Sequence, residues 1–128
     1  KNTKVIRVSI IGHEQKNHLA LLDWFLDSAH EVPGFTNQYW NGITTLEWAV
    51  LSENLIEHWD TMPTINQYGT KDIHSKYDLL RDIKYIYNKD ITIIPTEKPE
   101  PTNKCLESDK EIKDMLEQLK ELKKFYNK

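Results

Sequence analysis

The stretch KVIRVSIIG, residues 4–12, decides the fold. It is β-branched and nearly all apolar, with no polar alternation. Such a run reads as a strand covered on both faces, the habit of parallel sheets. Parallel strands need crossover connections, usually helical. The next segment supplies one: HLALLDWFLDSAH, residues 18–30, carries leucines and Trp24 around most of a helical circumference. That pattern predicts a helix wedged between other elements.

The chain then punctuates itself. EVPGFTNQYWNG, residues 31–42, reads as a loop or short-strand region, with Pro33, Gly34, Asn37 and the Asn41-Gly42 pair as turn formers. Thr44 and Glu47 form a T-x-x-E capping box that opens a helix running to about Trp59. INQYGT, residues 65–70, reads as a short strand. Ser75 and Asp78 make a second cap-like pair, and the helix after them reaches about Asn88, with Leu79, Leu80, Ile83, Ile86 and Tyr87 on one face. DITIIP, residues 90–95, is a short strand, and the proline-broken TEKPEPTNK is a loop. Ser108 and Glu111 form a third capping box. The last helix then puts Ile112, Met115, Leu116, Leu119, Leu122 and Tyr126 on one stripe. The stripe is too short for a coiled coil, so it docks on its own domain. The order β-α-loop-α-β-α-β-loop-α makes this an α/β chain. It shows no internal repeat and no low-complexity segment.

Length and composition narrow the function. The 128 residues are the size of one ordinary domain, and four Trp, six Tyr and three Phe can build its core. A net charge of −3, from 17 basic and 20 acidic residues, gives no electrostatic footprint for nucleic acid or an anionic membrane. Cys105 is the only cysteine, which excludes an intrachain disulfide and a multi-thiolate zinc site. A reducing, cytoplasmic setting is expected. No apolar run approaches the length of a membrane span, and no signal peptide is visible. Because the chain begins with Lys, it is expected to be a piece of something longer.

The candidate motifs differ in weight. HEQKNH, residues 13–18, sets His13 and His18 five apart around Glu14. The zincin signature needs its histidines four apart on a helix, so a metal site is not expected, and a polar connection is the ordinary reading. A metal-dependent hydrolase built on His13, Glu14 and His18 stays as a distant alternative. YIYNK, residues 85–89, matches the Tyr-x-x-x-Lys pair of short-chain dehydrogenases, but Tyr85 lies off the apolar face of its helix. The four glycines, Gly12, Gly34, Gly42 and Gly69, make no G-x-G-x-x-G. The match is read as chance. Cys105 reads as a packed or loop thiol. GFTNQYWNG, residues 34–42, interleaves aromatics with amides and glycines. Aromatics stack on the apolar faces of a sugar while amides bond its hydroxyls, so this composition suits a polar ring-shaped ligand. The competing reading is a turn whose aromatics plug the core.

VIRVSIIGHE, LLDWFL, GFTNQYWNGITTLEWA and SKYDLLRDI occur in this order, followed by NKCLESD. Together they resemble the C-terminal part of the extended short-chain dehydrogenase/reductase superfamily, and within it the sugar-nucleotide reductases similar to dTDP-4-dehydrorhamnose reductase. The resemblance spans nearly the whole chain. It implies an α/β fold class: the C-terminal portion of a Rossmann-type fold, with a late parallel strand and a small mixed α/β substrate-binding lobe, as a single portion over residues 1–128. The dinucleotide-binding half, with its Gly-rich loop and catalytic Tyr-x-x-x-Lys, would lie before Lys1, so no catalytic residue is expected here. NAD(P) is implied in the complete enzyme and no cofactor for this chain alone. Val8 and Ser9 would lie near the cofactor. His13, Glu14, Asn37, Tyr39, Trp40, Asn41 and Lys104 would contact a nucleotide-sugar substrate, with Lys104 near the diphosphate. The expected partners are that substrate and either the missing half or a second copy, with no nucleic acid and no membrane. The implied chemistry is hydride transfer to a 4-keto sugar, or a related epimerase or dehydratase reaction, in cell-surface polysaccharide synthesis. A non-catalytic binding or structural module of the same ancestry is the alternative.

Overall fold

The computed structural model describes residues 3–12 and 21–126. The apolar stretch at the start is not one strand. It breaks into β1 (Val5–Arg7) and β2 (Ile10–Ile11), which pair with different partners. β1 runs parallel to β6 (Ile65–Gln67), and β2 runs parallel to β5 (Ile43–Thr44). The reading of a strand covered on both faces is therefore corrected. Val5, Arg7 and Ile10 are exposed, while Ile6, Val8 and Ile11 turn toward the core. The break falls at Ser9, whose carbonyl accepts the Ile43 N–H at 2.7 Å and so turns the chain from one partner to the next.

Among the described residues, the first helix is α1 (Leu21–Asp27), shorter than the expected 18–30 at its C-terminal end. His30 takes a left-handed φ of 66° and turns the chain into β3 (Glu31–Phe35). The region at 31–42, read as loop or short strand, is mostly short strand, because β3 pairs in parallel with β8 (Thr92–Thr96), and β4 (Gln38–Trp40) has a partner on each side. Those partners are β7 (His74–Ser75), antiparallel, and β9 (Thr102–Asn103), parallel. Long-range pairing of this kind leaves little local signal.

Helix starts follow their caps where the cap is real. Thr44 Oγ1 accepts the Glu47 N–H at 3.1 Å and opens α2 (Thr45–Glu57), which is followed by a single 3-10 turn at Trp59–Thr61. The return half of that box is replaced. The Thr44 N–H donates to Gln118 Oε1 at 2.9 Å, and Glu47 instead pairs with Lys113 at 3.6 Å. Ser75 and Asp78 form a complete reciprocal box at the start of α3 (Lys76–Tyr87), and Asn88 closes that helix in the left-handed conformation at φ 52°.

The third box does not form. Ser108 Oγ accepts from the Gly69 N–H and donates to the Lys110 carbonyl, while Asp109 takes the Gln67 N–H at 2.7 Å. The segment is thus held extended along β6. The last helix, α4 (Met115–Tyr126), starts seven residues after Ser108, where Asp114 Oδ1 accepts the Glu117 N–H at 2.9 Å. Among the described residues, two clusters form the core. The larger joins Leu22 and Phe25 of α1, Leu79 and Ile83 of α3, and Leu119 and Leu122 of α4. The smaller gathers Ile43, Leu51, Tyr68 and Ile112. No described helix is long and apolar enough to cross a membrane.

Candidate functional site

The site is built around β4. Tyr39 is paired on one side with Ser75 and on the other with Asn103. The residues that follow those partners are Lys76, the first residue of α3, and Lys104, whose N–H donates to the Tyr39 carbonyl at 3.0 Å. Both lysines line one cavity of about 380 Å³ together with Trp40 and Ser9, and its apolar wall is Ile10, Ile11, Leu21 and Leu79. That volume lies within the range of small-molecule sites.

Trp40 reaches this cavity because Gly42 gives it room. A Cβ on Gly42 would stand 2.1 Å from the Trp40 ring and 2.2 Å from the Ser9 carbonyl oxygen. The indole therefore rests on the β4–β5 turn, with the polar wall on one side and the large core cluster on the other. Tyr39, one residue earlier, turns to the opposite face of the strand and is exposed.

The electrostatics favour an anion. Burial lowers the Lys76 pKa first, and the positive charges of Lys104 and Lys98 lower it further. Lys98 also stacks over the Phe35 ring, with Nζ 4.5 Å from the centroid. The three positive charges repel one another, and a negative group joining them would relieve that repulsion. Neither Lys76 nor Lys98 stood out in the sequence. One signal was present: Lys76 sits directly after a helix N-cap, where the helix dipole disfavours a cation.

The amides of the 34–42 stretch do a different job from the hydroxyl recognition their composition suggested. Asn37 bonds the backbone of Lys98 twice, Nδ2 to the carbonyl at 2.8 Å and Oδ1 from the N–H at 3.0 Å. Asn41 is buried and fully used: Nδ2 donates to the Thr70 and Leu106 carbonyls at 2.9 and 2.8 Å, and Oδ1 accepts the Leu106 N–H at 2.7 Å. These side chains hold the segment that carries Lys98 and Lys104. Val8 packs against the smaller core cluster and away from the cavity. Of the expected site residues, the fold thus brings Ser9, Trp40 and Lys104 together. His13 and Glu14 lie outside the described residues, as does His18.

The Tyr-x-x-x-Lys match is not a reactive pair in this fold. Tyr85 points outward at 75% exposure, and Lys89 Nζ donates to the Leu26 carbonyl at 2.7 Å. Among the described residues, no group of three or more His, Cys, Asp or Glu side chains is disposed to hold a metal ion.

The fold is similar to that of several solved α/β enzymes, and the chain spans about half of their length. Particular structures carry the likeness. A dTDP-4-dehydrorhamnose reductase from Clostridium acetobutylicum matches 96% of this chain and 48% of its own at a TM-score of 0.76 and 16% identity. The dTDP-4-dehydrorhamnose reductase of Bacillus anthracis, solved with NADP, matches 98% of this chain and 49% of its own at 0.77 and 13% identity. A UDP-glucose 4-epimerase from Thermotoga maritima, solved with UDP-glucose, matches 97% and 45% at 0.64 and 17% identity. No protein-family model matches the chain, and no curated protein matches it in sequence.

Proposed function

We propose that residues 1–128 are the C-terminal, substrate-binding part of an NAD(P)-dependent sugar-nucleotide 4-keto reductase, or of a related epimerase or dehydratase. Its setting is cytoplasmic synthesis of cell-surface polysaccharide. The observation that supports this reading is the cavity in which Trp40 faces Lys76 and Lys104. An aromatic face beside two cations matches a ligand that joins a ring to a diphosphate.

In a complete enzyme the nicotinamide would supply hydride to the keto carbon. This chain's residues would do the binding. Lys76 and Lys104 would hold the diphosphate as point charges. Trp40 would offer its ring to the sugar or the base, and the Ile10, Ile11, Leu21 and Leu79 wall would exclude water. The Ser9 backbone, fixed by Ile43, would set the cavity's floor. A non-catalytic binding or structural module of the same ancestry is the second reading.

Calorimetry with dTDP-glucose and UDP-glucose tests the binding. Both readings expect saturable binding, weakened at least tenfold by Lys104→Ala and absent for the free sugars. Failure of either nucleotide sugar to bind, or an unchanged affinity in Lys104→Ala, would count against both. The residues encoded upstream of Lys1 separate the two: a Gly-rich strand-turn-helix followed by Tyr-x-x-x-Lys supports the reductase, and a start codon there supports the module.

A further inference from the structure

We propose that Lys76 is a modification site, at which a small acyl phosphate transfers its acyl group to the lysine amine and so switches off the anion cavity. The switch rests on the functional reading above; the reactivity of Lys76 stands apart from it.

Three features of the fold act on the Lys76 amine. First, it lines a cavity whose wall is largely apolar, made of Ile10, Ile11, Leu21, Leu79 and the Trp40 ring. Removal from water disfavours an ammonium. Second, strand register brings another cation to it. Tyr39 pairs with Ser75 on one side and Asn103 on the other, and the residues after those partners, Lys76 and Lys104, line the same cavity. Third, Lys76 is the first residue of α3, at the positive end of the helix dipole. All three favour the neutral amine. The Lys76 pKa is accordingly lowered, by burial first and then by Lys104 and Lys98. A lysine desolvated in an apolar pocket, or set beside another cationic group, is an activated nucleophile.

The same charges choose the donor. Positive groups around a cleft with apolar walls concentrate small anions in it. A volume of about 380 Å³ admits a small phosphate ester or anhydride. An acyl phosphate joins an anion for Lys104 to hold with a carbonyl carbon for Lys76 to attack. The neutral Nζ adds to that carbon, and an amide C–N bond forms. The C–O bond to phosphorus-bound oxygen breaks, inorganic phosphate leaves with the bonding pair, and the proton from nitrogen passes to water. The acylated lysine carries no charge, so the cavity loses one of the two cations that line it.

The intact chain incubated with acetyl phosphate, then digested and read by mass spectrometry over time, tests the site. Lys76 should be acetylated at least fivefold faster than the exposed Lys84 and Lys110. Lys104→Gln should slow Lys76 at least threefold and leave Lys84 unchanged. With p-nitrophenyl acetate, a neutral donor, the lead of Lys76 over Lys84 should shrink at least twofold. Equal rates at Lys76 and Lys84, a Lys76 rate that survives Lys104→Gln, or the same lead with both donors would overturn the proposal. Calorimetry with UDP-glucose reads the switch: acetylation of Lys76 should weaken binding at least tenfold, and unchanged affinity would overturn it. Unmodified protein that fails to bind UDP-glucose, yet is acetylated first at Lys76, removes the substrate reading alone. Normal binding without selective acetylation removes this site alone.

Discussion

The Trp40 indole occupies the space where a side chain on Gly42 would be, 2.1 Å from the position of its Cβ. The cavity wall and the β4–β5 turn are therefore one packed unit. Gly42→Ala must push the ring out or break the Ser9–Ile43 bond beside it. The expected cost is about 1–3 kcal/mol, the usual penalty for overpacking, read by urea denaturation. Trp40 fluorescence should shift red as the ring moves toward water. An unchanged midpoint and spectrum would mean that the ring does not rest there.

Asn41 makes three hydrogen bonds, all to backbone, from a buried position. Asn41→Ala leaves the Leu106 N–H and two carbonyls without it, at an expected cost of about 2–4 kcal/mol. The segment carrying Lys104 should loosen first, so limited proteolysis should cut between residues 98 and 108 before anywhere else. Equal cutting in wild type and variant would refute this anchoring role.

The start of the last helix separates two caps. Asp114→Ala should cost about 1 kcal/mol, as the loss of an N-cap does. Glu111→Ala, at an exposed residue with no capping bond, should stay within about 0.5 kcal/mol. The reverse ranking would restore the Ser108–Glu111 box.

Anion binding should depend on pH through Lys76, whose pKa is lowered by burial and then by Lys104 and Lys98. An anion in the cavity favours the charged lysine, so binding raises its pKa and takes up a proton on the alkaline side. Affinity for UDP-glucose should therefore fall as pH rises through the lowered pKa, earlier than for an ordinary lysine. Calorimetry in two buffers of different ionisation enthalpy measures that proton. A flat affinity up to the ordinary lysine range would exclude Lys76 from the site.

Asp82 gives the opposite kind of test. Its carboxyl pKa is raised, chiefly by burial, against an opposing pull from His74. The folded state then holds a proton that the unfolded chain has released, so stability falls as pH rises from the unfolded carboxylate pKa through the folded one. Asp82→Asn should flatten that slope and raise the melting temperature at neutral pH. A slope that survives the substitution would place its origin elsewhere.

These residues also show what was legible in the sequence. Caps that act within four residues, such as Thr44–Glu47 and Ser75–Asp78, located α2 and α3, and Asn88 marked a real helix end. Ser108 and Glu111 carry the same local pattern and failed, because Gly69 claimed the Ser108 hydroxyl from 39 residues away. The KVIRVSIIG run declared a strand but not its break at Ser9, which is imposed by Ile43. Trp40 and Lys104 were named through the resemblance, and the fold sets both on one cavity. Lys76 and the backbone-directed use of Asn37 and Asn41 were not, since strand register decides them and register is set by distant partners.

The bond from the Thr44 N–H to Gln118 ties the start of α2 to a residue 74 positions later. On the ribosome, α2 emerges before that partner and waits for it. The strand that seats Lys104 beside Trp40 also emerges after α2, and every described strand pair joins segments far apart in sequence. Pairings of such long range close slowly. A nascent chain with Gln118 still inside the ribosome would hold α2 with its first turn unsealed, and the cavity would wait for Lys104.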